Sequence, residues 1–218
     1  YQRLMGRYIN VAGRAGEAGS FIRPEILAIP AAQLREYLEH TSLRPYRLLL
    51  ERLVRYKPHT LGKKEERLLA MQTEMAQAAS NIFRQLNDAD MRFGTIKDEQ
   101  GEQLELTHGT FSKLLHSPKR SVRRAAFQQY YEQYSAHQHS LAAALGGSMQ
   151  RDVYYARARN HPSALEASLF PDNMPAAVYD NLIESVHRHL PAVHHYYDVR
   201  RRKMRLRDIH HYDTYVPI

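Results

Sequence analysis

The chain has 218 residues, 43% of them hydrophobic, no cysteine, and a formal charge of +8. That length suffices for one or two hydrophobic cores, and the missing cysteines exclude disulfides, thiolate zinc sites and a cysteine nucleophile within these residues. No run of about 18 apolar residues occurs, so no membrane-spanning helix and no membrane partner are expected.

The opening residues lack the apolar core of a secretory signal, and Tyr1 in place of Met leaves room for a preceding stretch. The segment to about Glu17 reads as a frayed or partial helix weakened by Gly13, Gly16 and Gly19. Leu34 and Leu38 share a face of a short helix from Ala31 to about Glu39, and Ser42 is placed to cap the next. Pro58 ends that helix. A long helix is predicted from Lys63 to about Leu86, with Gly62 at its N-cap and Glu66 near the positive end of its dipole. Its apolar stripe, Leu68 to Leu86, predicts packing against another helix. Met91 to Ile96 and Gln103 to Thr107 then alternate around Asp98-Glu99-Gln100-Gly101, which predicts a β-hairpin. An isolated hairpin is marginal in water, so it must lie on helices or join a sheet made elsewhere.

Thr110 is read as the cap of a short helix reaching Leu115. From Pro118 to about Ala158 the chain reads as helical, in two pieces around Gly146-Gly147. Tyr130, Tyr131 and Tyr134 recur there at helical spacing; a core or interdomain face explains them, and hydroxyls facing a substrate cleft are the alternative. A short helix follows Ser163. A long helix carries Val178, Leu182 and Val186, with Pro191 as a kink or division. The end, Ile209 to Pro217, alternates like an extended arm.

A helical zinc pair needs imidazoles three or four residues apart. None of the thirteen histidines has such a neighbour, and His-Glu does not occur. Neither a phosphate loop nor a nucleophile elbow is present. The cluster Arg200, Arg201, Arg202, Lys203, Arg205 and Arg207 reads as a solvated helix face, because no stacking platform accompanies it.

Several ordered stretches resemble one family, oligoendopeptidase F. They are Ser20-Phe21-Ile22-Arg23-Pro24-Glu25-Ile26-Leu27, Arg55-Tyr56-Lys57-Pro58-His59-Thr60-Leu61, the hairpin from Met91 to Gly109, and Ser121-Val122-Arg123-Arg124-Ala125-Ala126-Phe127. Ser163 to Ala167, Val178 to Ile183, and His210-His211-Tyr212-Asp213 with Tyr215-Val216-Pro217 follow in order. Gly62 replaces a frequent capping serine, and Thr214 a usually apolar residue. The resemblance implies a zinc endopeptidase cutting short peptides in an enclosed channel. Its His-Glu-x-x-His helix and later glutamate ligand align with nothing in this chain.

The resemblance therefore implies a mainly α, multi-helix lobe with one β-hairpin at about 91–107. In chain order, 1–88 and 110–218 are helical segments and 89–109 is the hairpin, the last segment leading toward a catalytic part. The expected partners are short peptides and that catalytic part. Zinc belongs to the parent protein, with no metal or catalytic residue assigned here, and the compartment is cytoplasmic. Tyr130, Tyr131 and Tyr134 are the expected cleft-facing residues. The alternative is a basic helical module that binds nucleic acid or an acidic protein.

Overall fold

A computed structural model describes residues 2–218, with side chains from residue 3 onward. In chain order the helices are α1 (Gln2–Gly19), α2 (Ile22–Leu27), α3 (Ala31–Glu39), α4 (Arg47–Arg55), α5 (Lys63–Met71), α6 (Thr73–Ala76) and α7 (Ala78–Gln85). Strands β1 (Thr95–Lys97) and β2 (Gln103–Glu105) follow, then α8 (His108–Leu114), α9 (Arg120–Ala136), α10 (Gln138–Ala158), α11 (Ala164–Leu169) and α12 (Ala176–Lys203). This is the mainly α architecture with one hairpin that the patterning predicts. The chain folds into two compact units, residues 1–81 with 145–176 and residues 82–144 with 177–218.

In the first unit α1 is continuous despite its glycines, because it packs on α5 and α6. Tertiary contact outweighs weak helix propensity. The predicted helix from Lys63 to Leu86 is instead interrupted at Gln72 and Gln77 and widens into a π-turn at Leu86–Asp90. The Thr73 hydroxyl donates to the Ala70 carbonyl at 2.6 Å, competing with the helix ladder at the first interruption. Ser42 is not a cap: it lies in a 3-10 turn, Thr41–Tyr46, and its N–H donates to His40 Nδ1. Glu66 lies against Arg159, 93 residues away, with both guanidinium nitrogens donating to its carboxylate at 2.8 Å. The Leu61 N–H donates to the same carboxylate at 3.0 Å.

The second unit closes around Met91, Phe93, Ile96, Leu106, Leu114, Val122, Ala126 and Tyr130. Leu106 is 2% exposed, a burial worth about 1.5–3 kcal/mol. The hairpin pairs Thr95 with Glu105, Ile96 with Leu104 and Lys97 with Gln103. It lies on α9, where Gln129 Nε2 donates to the Phe93 carbonyl at 2.6 Å and the Thr95 carbonyl at 3.0 Å. The cap of α8 is Thr107, and Thr110 is its reciprocal partner in a capping box, three residues later than a cap can sit. The break between α9 and α10 falls at His137, not at the glycine pair. Pro191 lies inside an undivided α12.

The closing segment is not an extended arm. It turns through a 3-10 element, His211–Asp213, that buries Tyr212 and Asp213. The reason is charge: Asp213 meets Arg123 at 2.7 Å and Arg120 at 2.9 Å, both from α9.

Candidate functional site

Three tyrosines one helical turn or less apart on α9 have two different surroundings. Tyr130 is 8% exposed. Its ring stacks between Phe93, at 4.4 Å, and Phe111, at 3.9 Å. The Asn87 carbonyl can only accept, so His108 Nε2, 3.0 Å away, carries the proton and Nδ1 is left as an acceptor. The Tyr130 hydroxyl donates to that Nδ1 at 2.6 Å. Burial, reinforced by the Tyr134 hydroxyl, raises the Tyr130 phenol above its ordinary range, so it stays a donor. Tyr134 is half-buried and donates to Asn87 Oδ1 at 2.7 Å. Both residues thus sit in a hydrogen-bonded core network.

Tyr131 points elsewhere. It is 45% exposed and lines a cavity of about 810 Å³ with Phe127, Tyr197, Ile209, His211 and Tyr215. Such an aromatic wall suits an apolar or aromatic side chain, and its lining also carries imidazole and hydroxyl groups. The turn at His211–Asp213 fixes one side of this cavity. Arg123 Nε donates to the Tyr212 carbonyl at 3.0 Å. Arg200 donates to the carbonyls of Asp213 and Val216. Burial works to raise the Asp213 carboxyl, but Arg120, Arg123 and the His210 N–H overcome it and hold the group below its usual range.

The basic cluster after Val199 is only partly a solvated face. Arg200 is 5% exposed, and Arg201 and Arg202 both pair with Asp198. A phosphate backbone would have to compete with these bonds.

Among the described residues no three His, Asp or Glu side chains converge as a metal site. The closest imidazole pair is His59 with His161, 3.6 Å apart and nearly parallel. Rings stacked face to face do not aim their nitrogens at one ion, and His59 Nδ1 donates to the Arg159 carbonyl at 2.8 Å. These residues do not fit a metal. Burial first, then the nearby His59 and Arg159, pushes the His161 pKa down.

Sequence reasoning missed the His59–His161 stack, the Glu66–Arg159 pair and the arginines around Asp213. All join residues about 90 to 100 positions apart. No spacing rule finds such pairs; the signal available is a charged residue standing on the apolar face of a helix, as Glu66 and Arg123 do.

Two family profiles match, one described as oligopeptidase F over residues 25–93 and one as peptidase family M3 over residues 113–217. Across its whole length the chain is 38% identical to Oligopeptidase PepF of Bacillus subtilis, covering 33% of that protein. It is 35% identical to Group B oligopeptidase PepB of Streptococcus agalactiae, covering 36% of it. The crystal structure of oligoendopeptidase-F from Enterococcus faecium matches all of the chain with a TM-score of 0.95 at 38% identity, using 43% of that structure. The chain spans about a third of the length of the curated relatives it matches.

Proposed function

Because the chain belongs to the M3 peptidase family, we propose that it forms the N-terminal helical lobe of a zinc-dependent oligoendopeptidase acting on short peptides in an enclosed channel. The observation that carries this reading is the end-to-end match to an oligoendopeptidase-F structure at a TM-score of 0.95. In this reading zinc is held by the parent enzyme outside these 218 residues, where it would polarise the scissile carbonyl. This chain's part is to wall the channel, exclude folded proteins and close over peptide. The three consecutive stretches 1–88, 89–109 and 110–218 build that wall, the last leading to the catalytic part. A cytoplasmic location accords with a sequence free of cysteine.

Helix α12 supports a large partner from the same protein. Val178, Leu182, Val186 and Val193 are 50%, 61%, 53% and 46% exposed. A row of exposed apolar side chains of this kind fits a docking face. Of the three tyrosines, Tyr131 is the one free to meet a peptide. The alternative, a basic module for nucleic acid or an acidic partner, is weakened by a cluster whose first three arginines are already bonded within the chain.

The purified chain, assayed on a quenched peptide with added zinc, is expected to show no turnover; chelator-sensitive cleavage by the chain alone would sink the proposal. In the parent enzyme, Tyr131→Ala is expected to raise KM about tenfold with kcat nearly unchanged, the pattern of lost uniform binding. Tyr130→Phe should leave KM unchanged and lower stability by about 1 kcal/mol, since it strands His108 Nδ1.

A further inference from the structure

The first unit holds its own cavity, of about 620 Å³, walled by α1, α2, α5, α6 and α10. It contributes nothing to the channel reading above. Its lining carries three guanidinium groups, Arg23, Arg151 and Arg159, against one carboxylate, Glu66. The pair between Arg159 and Glu66 is bidentate, so those two charges cancel. Arg151 is pinned by donating to the Ala76 carbonyl at 3.3 Å and by Asp152, whose side chain is 56% exposed and lies off the cavity wall. Arg23 has no carboxylate within ion-pair distance among the described residues; its guanidinium lies 5.8 Å from the centre of the Tyr56 ring. Set against Glu66 and Asp152, the three guanidinium groups leave one cation without a carboxylate, that of Arg23.

A neutral donor accompanies them. Tyr155 stands one helical turn from both Arg151 and Arg159, on the same helical face. It lines the cavity, and its hydroxyl has no hydrogen-bond partner among the described residues. Burial raises its phenol above the ordinary range, which keeps the proton on the oxygen. At Gly16, which also lines the cavity, an added Cβ meets nothing within 4 Å, so the space there is open. An unpaired guanidinium, a second one held in place beside it and a free hydroxyl around an open volume are the recognition chemistry of an oxyanion.

We propose that this cavity binds a small oxyanion, a carboxylate or a phosphate, between Arg23, Arg151 and the Tyr155 hydroxyl. The cavity is open to water, so screening holds the affinity to a Kd on the order of 1 mM.

Isothermal titration calorimetry on the intact chain at constant ionic strength tests this, with three probes: inorganic phosphate, a tripeptide with a free C-terminus, and the same tripeptide amidated. Phosphate or the free tripeptide should bind, and the amide should not. Whichever of the two binds identifies the source of the oxyanion. Arg23→Gln and Tyr155→Phe, both checked for folding by circular dichroism, should each weaken binding about tenfold. Gly16→Asp, which adds a carboxylate to the wall, should abolish it. Lys97→Gln removes a charge from the other unit and should change nothing. The proposal fails if neither anion binds, if the amidated tripeptide binds, or if Arg23→Gln behaves like Lys97→Gln.

Discussion

Asp213 accepts from Arg120, from Arg123 and from the N–H of His210, with no side-chain exposure of its own. Its replacement by Asn would leave Arg123, 2% exposed, as an uncompensated buried cation. Breaking such a pair costs about 3–5 kcal/mol, so Asp213→Asn should lower the urea midpoint steeply and free the closing turn to proteolysis. The sequence does place a Tyr-Asp pair at Tyr212-Asp213, but only as part of a family-like string. The arginines that hold it lie about 90 residues earlier, beyond any local pattern. His161 gives a second prediction. Its pKa in the folded chain lies below the ordinary 6.5, so the folded state binds fewer protons than the unfolded state as pH falls past that value. Stability is then fully present above about pH 6.5 and lost on acidification toward the lower folded value. Glu66 and Asp213 are also held below their ordinary values of 4.5 and 3.8, and they extend the loss to more acid pH. Urea unfolding should give a smaller free energy at about pH 5.5 than at about pH 7.5, and His161→Phe, which keeps an aromatic stack, should flatten that slope. An unchanged slope would refute the assignment.

Helices and strands were legible where a periodic signal was also a packing signal. The hairpin followed from alternation on either side of Gly101, whose φ of +87° suits glycine. The glycine pair in α10 shows the limit of that logic. Gly146-Gly147 reads as a break, yet the helix passes through it. A Cβ at Gly147 would lie 3.4 Å from Ala79 Cβ, so the glycine marks a close helix approach. The real break is at His137, whose Nδ1 donates to the Gln133 carbonyl at 2.8 Å and shares that carbonyl with its own backbone N–H at 3.2 Å. Gly94 tests the hairpin's seating on α9. Its φ is +75°, and an added Cβ would sit 3.2 Å from Gln129 Nε2. Gly94→Ala should therefore destabilise the second unit by about 1–3 kcal/mol, with amide exchange accelerating first in β1 and β2.

At the scale of the molecule, composition and patterning conveyed the helical class, and ordered family-like stretches conveyed the lineage. The cavities were not legible, because each is walled by elements from distant parts of the sequence. The same interleaving separates the consecutive stretches read from the sequence from the two units that form. The first unit needs residues 1–81 and 145–176 together. A nascent chain leaving the ribosome therefore carries its first eighty or so residues without their partners until α10 and α11 have been translated. Glu66 emerges before Arg159 exists to neutralise it, and α1 to α6 must wait with apolar faces uncovered, the interval in which chaperones find their clients.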